Sequence, residues 1–355
     1  MARIVAGFAS SHTPLMSLPG QDWAKRAEDD KRNRELIRPR DGAHVTYDEL
    51  LAAADPTIAA EHIHEDVFVQ KYDCIQQSLN QLQETFCQVN PDVVVMFGDD
   101  QDELFFEDNY PMISLYWGDI LTHYPRTVAS RPGMSEAIRI SASVYGTEII
   151  EYPVEKDLGL HVIQQLGEKD FDVAHSRYMK EEYGGTIGPA TWYLDYQRTT
   201  KPRRQGMAHA FSFPVCRWFG GRRPPMLPIT INTCYPPNWI SPRRAYALGR
   251  AVREAIEAWD SDARVAIVTS GGLSHFTVDE EIDRQALKGL TTADGQILST
   301  LPRYKLQSAT TEILNWVAAA GAMGETPMDL ITYQPGYRSP AGTGCGCAVG
   351  RWLPE

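Results

Sequence analysis

The sequence has no apolar run of membrane-spanning length. A transmembrane helix needs about 20 consecutive apolar residues, and none occurs in these 355 residues. Basic charge is also short: 34 Lys and Arg stand against 46 Asp and Glu, a net charge of −12. That balance excludes a general nucleic-acid binder or a protein drawn to anionic membranes, while leaving room for a local basic pocket. Cysteine is scarce, and six in the chain do not make a disulfide scaffold. Cys345 and Cys347 lack the second pair a zinc site needs, so they read as reduced and structural. The opening, MARIVAGFASSH, is too short and too quickly polar for a secretory signal, and the expected compartment is the cytoplasm. No glycine-rich nucleotide fingerprint follows the first strand, and there is no Walker-type lysine loop and no internal repeat.

What is present centres on Val265–Asp283, reading VAIVTSGGLSHFTVDEEID. A β-branched apolar run that stops at paired glycines reads as a buried strand with an abrupt exit. In α/β proteins ligands sit at the carboxyl ends of such strands. His275, just beyond the glycines, is therefore a candidate for acid–base work; the alternative is a turn histidine bonded to backbone. The same arrangement opens the chain: a strand over Arg3–Ala9, then Ser10, Ser11 and His12. His12 is a candidate metal ligand, or else a capping or packing residue.

Further strands are predicted over Asp92–Gly98, Met226–Thr233 and Arg264–Ser270. Helices are predicted over Tyr47–Ala54 behind a Thr46 cap, Glu61–Gln88, Asp157–Leu166, Pro242–Trp259 and Thr310–Ala320. The alternation implies an α/β fold, a central mixed β-sheet flanked by helices, with a helical insertion at about 20–90 after the first strand. The chain is expected to form one domain over 1–355. Its glycine-rich end is expected to hold a final short strand that closes over the site or seals a sheet edge.

The strand ending at Gly98 runs into Asp99, Asp100, Gln101, Asp102 and Glu103. Such a cluster can bind a cation or orient a ligand from behind. His209, among small residues and followed by aromatics, has the context of a pocket histidine. Glu312 lies in an otherwise apolar helix, where a carboxylate must be paired, cation-bound or at the solvated helix start. His62 and His64 are two apart and do not share a helix face.

These pieces, in this order, resemble the class III extradiol ring-cleavage dioxygenases, the family that includes the catalytic subunit of protocatechuate 4,5-dioxygenase. The stretches that carry the resemblance are SSHTP, the strand into GDDQ, AHAFSFP, PITINTCYPPN with RRAYALGRAVREAIE, TSGGLSHF and TTEILNWVAAAGA. They cover most of the chain outside the insertion. Within the family, DDQ and the GTGCG tail look most like the 3-O-methylgallate dioxygenases.

The resemblance implies a non-haem Fe(II) held by two histidines and a glutamate, a small aromatic acid and O2 as substrates, and self-association, as a homodimer. It places His12 and Glu312 as metal ligands, His275 as the catalytic histidine, and His209 as a second pocket histidine bonding the substrate. The family's second ligand ends a strand as Asn-Asp-His, where this chain has Asp99, Asp100 and Gln101. Four accounts follow: Gln101 is a weak ligand, a nearby carboxylate takes over, His62 or His64 reaches in, or the iron site is lost. Arg217, Arg243, Arg244 and Arg126 are candidate partners for a substrate carboxylate. The departure at Gln101 keeps two other functions in view: a metal-assisted hydrolase or decarboxylase on this scaffold, and a metal-free binding protein.

Overall fold

The computed structural model describes residues 1–101, 103–105, 109–125, 135–179 and 206–354. Arg126 and the tract Lys201–Arg204 lie outside them. Among the described residues, no helix is long and apolar enough to cross a membrane.

After strand β1 (Arg3–Ser10) come four helices, α1 (Trp23–Asp30), α2 (Tyr47–Ala53), α3 (Pro56–His62) and α4 (Glu65–Val89). This is the helical insertion. The chain continues through β2 (Val93–Asp99), β3 (Ile113–Tyr116), β4 (Ile120–His123), α5 (Glu136–Ser141), β5 (Ile150–Pro153), α6 (Lys156–Gly167) and β6 (Ala174–Ser176). It ends with α7 (His209–Arg217), β7 (Met226–Ile231), α8 (Pro242–Ala258), β8 (Arg264–Ser270), β9 (His275–Thr277), α9 (Glu280–Thr291), α10 (Gly295–Ser299), α11 (Ile313–Met323), β10 (Asp329–Tyr337) and β11 (Thr343–Trp352).

The main sheet runs β10-β11-β1-β8-β2-β7-β3-β6, with β9 joined to β11. Strands β1, β8, β2 and β7 are mutually parallel, while β11 and β3 flank them antiparallel, so the sheet is mixed. The parallel strands are buried on both faces, which is why they read as continuous apolar runs. Their alternate side chains feed two cores. Val95, Phe97 and Ile267 point into one, which includes the α8 and α11 side chains Leu248 and Trp316. Val94, Met96 and Val268 point into the other, with Phe68 and Phe86 of α4.

Register sets the site. Ser10 at the end of β1 is paired with Ser270 at the end of β8, and Asp99 at the end of β2 with Ile231 at the end of β7. Four carboxyl ends therefore open on one edge of the sheet.

Two local expectations change. The predicted helix Glu61–Gln88 is broken at Ile63 and His64, and α4 begins at Glu65. Glu65 and Asp66 occupy its first turn, where carboxylates favour a helix start. The glycine-rich end forms a ten-residue strand, β11, inside the sheet between β10 and β1 rather than a short one. Its glycines admit close neighbours: a Cβ on Gly346 would run into the Asp283 carboxylate, and one on Gly344 into the Gly336 carbonyl.

Helices α8 and α11 cross at Gly249 and Gly321, where a Cβ would strike the carbonyl oxygens of Ala318 and Tyr246 respectively. The backbone itself is the obstacle, so the helices must separate to admit a methyl. Gly249→Ala is expected to destabilise the protein by about 1–3 kcal/mol through overpacking, despite alanine's better helix propensity. Chemical denaturation checks this; an unchanged or raised midpoint contradicts the crossing.

Candidate metal centre

Three of these strand exits deliver polar groups to the same point. From β1 comes His12, whose Nδ1 is 2.7 Å from the Oγ of Ser270 at the end of β8. From β2 come Asp99, Gln101 and Glu103. From β8 come the glycine pair and His275. Helix α11 is preceded by a 3₁₀ turn, Ser308–Glu312, that brings Glu312 over the strand ends.

The side-chain donors of His12, Asp99, His209 and Glu312 all lie within 4.8 Å of one another, and all four residues are buried. His12 Nε2 is 3.1 Å from Glu312 Oε2 and 3.0 Å from His209 Nε2. His275 Nε2 lies 3.2 Å from Glu312 Oε1. The structure thus brings together His12, His209, His275 and Glu312, which are separated by up to 300 positions in sequence (312 − 12).

Local chemistry explains each placement. The Gly271–Gly272 turn is glycine because a Cβ on Gly272 would press on the His275 ring and one on Gly271 on the backbone of Glu312. The Gly272 N–H donates to Glu312 Oε2 at 2.5 Å, and Trp316 Nε1–H holds the Gly271 carbonyl at 2.8 Å. His275 is fixed by Nδ1 against the Leu273 carbonyl at 2.8 Å and by its N–H donating to Thr310 Oγ1 at 3.0 Å. A carbonyl only accepts, so Nδ1 carries a proton and Nε2 faces the cluster. Behind this loop, Asp283 accepts from the Ser274 N–H (2.7 Å), the Ser274 hydroxyl (2.8 Å) and the Tyr333 hydroxyl (2.8 Å). Burial pushes Asp283 up to about 7 against those donors.

Asp99 accepts from Asn315 Nδ2 at 2.8 Å, and Asn315 also donates to the Ser270 carbonyl at 3.1 Å. Gln101 places its amide nitrogen 2.6 Å from Glu312 Oε1 and 3.3 Å from Asp99 Oδ2. Asp100 turns away and accepts backbone N–H groups of Glu103, Leu104 and Phe105. That turn presents Glu103, fully buried, to both the backbone N–H and Nδ1 of His209, the latter at 2.6 Å.

The electrostatics separate the two central carboxylates. Burial favours a neutral Glu312, but the imidazoles of His275 and His12 outweigh it and hold its pKa well below the usual range. Burial, and then the Glu312 charge, push Asp99 up to about 6. Burial works against charged His12 and His275, yet Glu312 raises both. Buried carboxylates packed this closely call for a cation. Two imidazoles with two carboxylates suit a divalent first-row metal, so the residues present fit one.

The other candidates lie elsewhere. His62 stacks on Tyr337 with ring centroids 5.0 Å apart, and His64 Nε2 is 2.8 Å from the Ala60 carbonyl. Arg217 donates to Gln76 and Asn80. Arg244 lies over the Phe171 ring and donates to the Asp170 carbonyl. Arg243 is exposed on α8. Asn315 and the individual role of Glu103 escape sequence reasoning. The signals were slight: one amide in an apolar helix, and one member of an acidic cluster.

The chain is similar to known proteins. A 92-residue stretch, 23% of this chain, is 37% identical to gallate dioxygenase of Pseudomonas putida KT2440, and covers 27% of that protein. The chain thus matches about a quarter of that relative's length. A crystal structure of an uncharacterized Escherichia coli K12 protein superposes with a TM-score of 0.40 at 13% identity, covering 78% of this chain and 91% of that one. Residues 56–346 match the family described as the catalytic LigB subunit of aromatic ring-opening dioxygenase. That span holds Asp99, His209, His275 and Glu312, and the chain belongs to this family.

Proposed function

We propose that the protein is a non-haem Fe(II)-dependent extradiol dioxygenase that opens the ring of a catecholic or gallate-type aromatic acid with O2. The observation that carries this is the buried convergence of His12, Asp99, His209 and Glu312 with His275 beside it, at the strand ends where α/β proteins bind ligands. Family membership points to the same chemistry. The stretch shared with gallate dioxygenase supports a gallate-type ring as substrate class.

Ferrous iron, held by His12, Glu312 and the donors beside them, would bind the ring oxygens and O2 and carry electrons between them. The chain's own residues handle protons and position. With Nδ1 committed to the Leu273 carbonyl, His275 exchanges protons only at Nε2, which faces the cluster. It takes the phenolic proton on binding and returns one during oxygen–oxygen cleavage, a two-way transfer that imidazole suits near neutral pH. Gly272 and Gln101 hold the Glu312 carboxylate from two sides, so it needs no reorientation when substrate arrives.

Oxygen uptake is the test. Protein loaded anaerobically with Fe(II) is expected to consume O2 with gallate, 3-O-methylgallate or protocatechuate, one O2 per ring opened. Iron-replete protein that consumes none with any catecholic acid refutes the proposal. Turnover without O2 and with zinc in place of iron would identify a hydrolase or decarboxylase instead.

A further inference from the structure

His209 and Gln101 share the space beside His12 and Glu312, and their hydrogen bonds separate their roles. An ionised carboxylate only accepts. Glu103, 2.6 Å from His209 Nδ1 and also accepting the His209 backbone N–H, therefore places the imidazole proton on Nδ1. The lone pair is left on Nε2, which points at His12 Nε2 from 3.0 Å. His12 Nδ1 is occupied by Ser270 Oγ, so its Nε2 also faces inward. A cation set between the two Nε2 atoms would take a lone pair from each, in place of the hydrogen bond that joins the rings. Donors at right angles on a metal, with bonds of about 2.1 Å, are themselves about 3.0 Å apart. His12 Nε2 and Glu312 Oε2, at 3.1 Å, have the same spacing.

Gln101 has the opposite polarity. Its amide nitrogen faces Glu312 Oε1 and Asp99 Oδ2. Turning the amide over would set its oxygen against two carboxylates, so the neighbours dictate the orientation. In that pose it donates to two donor residues and offers no lone pair of its own.

We propose that His209, clamped by Glu103, is the second imidazole ligand of the metal centre, and that Gln101 is an amide bridge between Glu312 and Asp99 rather than a ligand. This rests on the reading of the cluster as the iron centre of the proposed dioxygenase. It moves His209 from bonding substrate to holding metal. Glu103 becomes a positioning residue of the kind that fixes the tautomer and orientation of metal-bound histidines.

The test is anaerobic metal binding by the full-length apoprotein, with Co(II) or Fe(II) in competition with a chelator. Wild type is expected to bind one ion per chain. His209→Ala should weaken binding by more than 100-fold. Glu103→Ala should weaken it by about 10–100-fold, and Glu103→Gln by less, because its amide oxygen still accepts from Nδ1–H. Gln101→Ala should weaken it by less than tenfold. A larger loss for Gln101→Ala than for His209→Ala overturns the proposal, as does wild type that binds no metal. Should His209→Ala not fold, as judged by circular dichroism, cobalt-loaded wild type supplies the answer. Its proton NMR spectrum is expected to show two hyperfine-shifted exchangeable Nδ1–H resonances, from His12 and His209, and a single one overturns the assignment. The expected binding pattern without O2 uptake on any catecholic acid would leave this ligand set standing and remove only the ring-cleavage reading.

Discussion

Replacing His275 with alanine is expected to lower kcat by about 10²–10⁴-fold, the range for losing a positioned general acid–base group, while the protein still takes up one metal ion. The separation follows from geometry. His275 reaches the centre only through Nε2, 3.2 Å from Glu312 Oε1, and its other contacts run to backbone and Thr310: Nδ1 to Leu273, N–H to the Thr310 hydroxyl, and that same hydroxyl donating to the His275 carbonyl at 2.8 Å. Three of these four anchors hold the backbone or the far side of the ring, so truncation removes the proton-exchanging atom and leaves the loop in place. Substrate affinity should change far less than kcat, because the lost interaction belongs to proton transfer. Steady-state oxygen uptake with metal analysis on the same preparations checks both parts. If iron is lost with the imidazole, His275 is a ligand and the acid–base role is wrong.

Asp30→Ala is expected to cost about 3–5 kcal/mol, the penalty for leaving one partner of a buried ion pair alone. Asp30, at the end of α1, accepts two hydrogen bonds from Arg338, both at 2.7 Å, and one from the Thr343 hydroxyl at 2.6 Å. Asp30 and Arg338 are 0% and 2% exposed. This fork ties the helical insertion to the turn between β10 and β11, and β11 pairs with β1 and β9, the strands that lead to His12 and begin with His275. The substitution should therefore lower the thermal midpoint and loosen the insertion first, visible as faster amide exchange over Trp23–Asp30. Replacing both partners with apolar residues of similar volume should cost much less, since no charge is then stranded. A single variant as stable as wild type would mean that the pair contributes nothing net.

Much of the architecture follows from one-dimensional pattern. The runs over β1, β2, β7 and β8 are apolar and β-branched because they are buried on both faces, and composition alone reports that. The strand–turn–histidine units at His12 and His275 are local too: a few residues place a polar group at a strand exit, whatever surrounds it. The break between α3 and α4 was less legible, since the apolar stripe from Phe68 to Phe86 says nothing of where its helix starts. The length of β11 was hidden by its glycines, which argue against a strand until Asp283 and Gly336 are seen to need the room.

The site itself divides along the same line. Residue types and their order within strand exits belong to the sequence: histidines after β1 and β8, an acidic run after β2, a glutamate within an apolar helical stretch. Which of those groups meet depended on the parallel register that aligns Ser10 with Ser270 and on the turn capped by Asp100. The pairing of Glu103 with His209 spans 106 positions, and no periodicity encodes a contact of that range. The direction of the Gln101 amide is set by two carboxylates it meets only in the fold. Local pattern determines which chemistry each strand end carries; long-range packing decides which atoms face one another, because the energy of a buried charge depends on neighbours that the chain brings in from elsewhere.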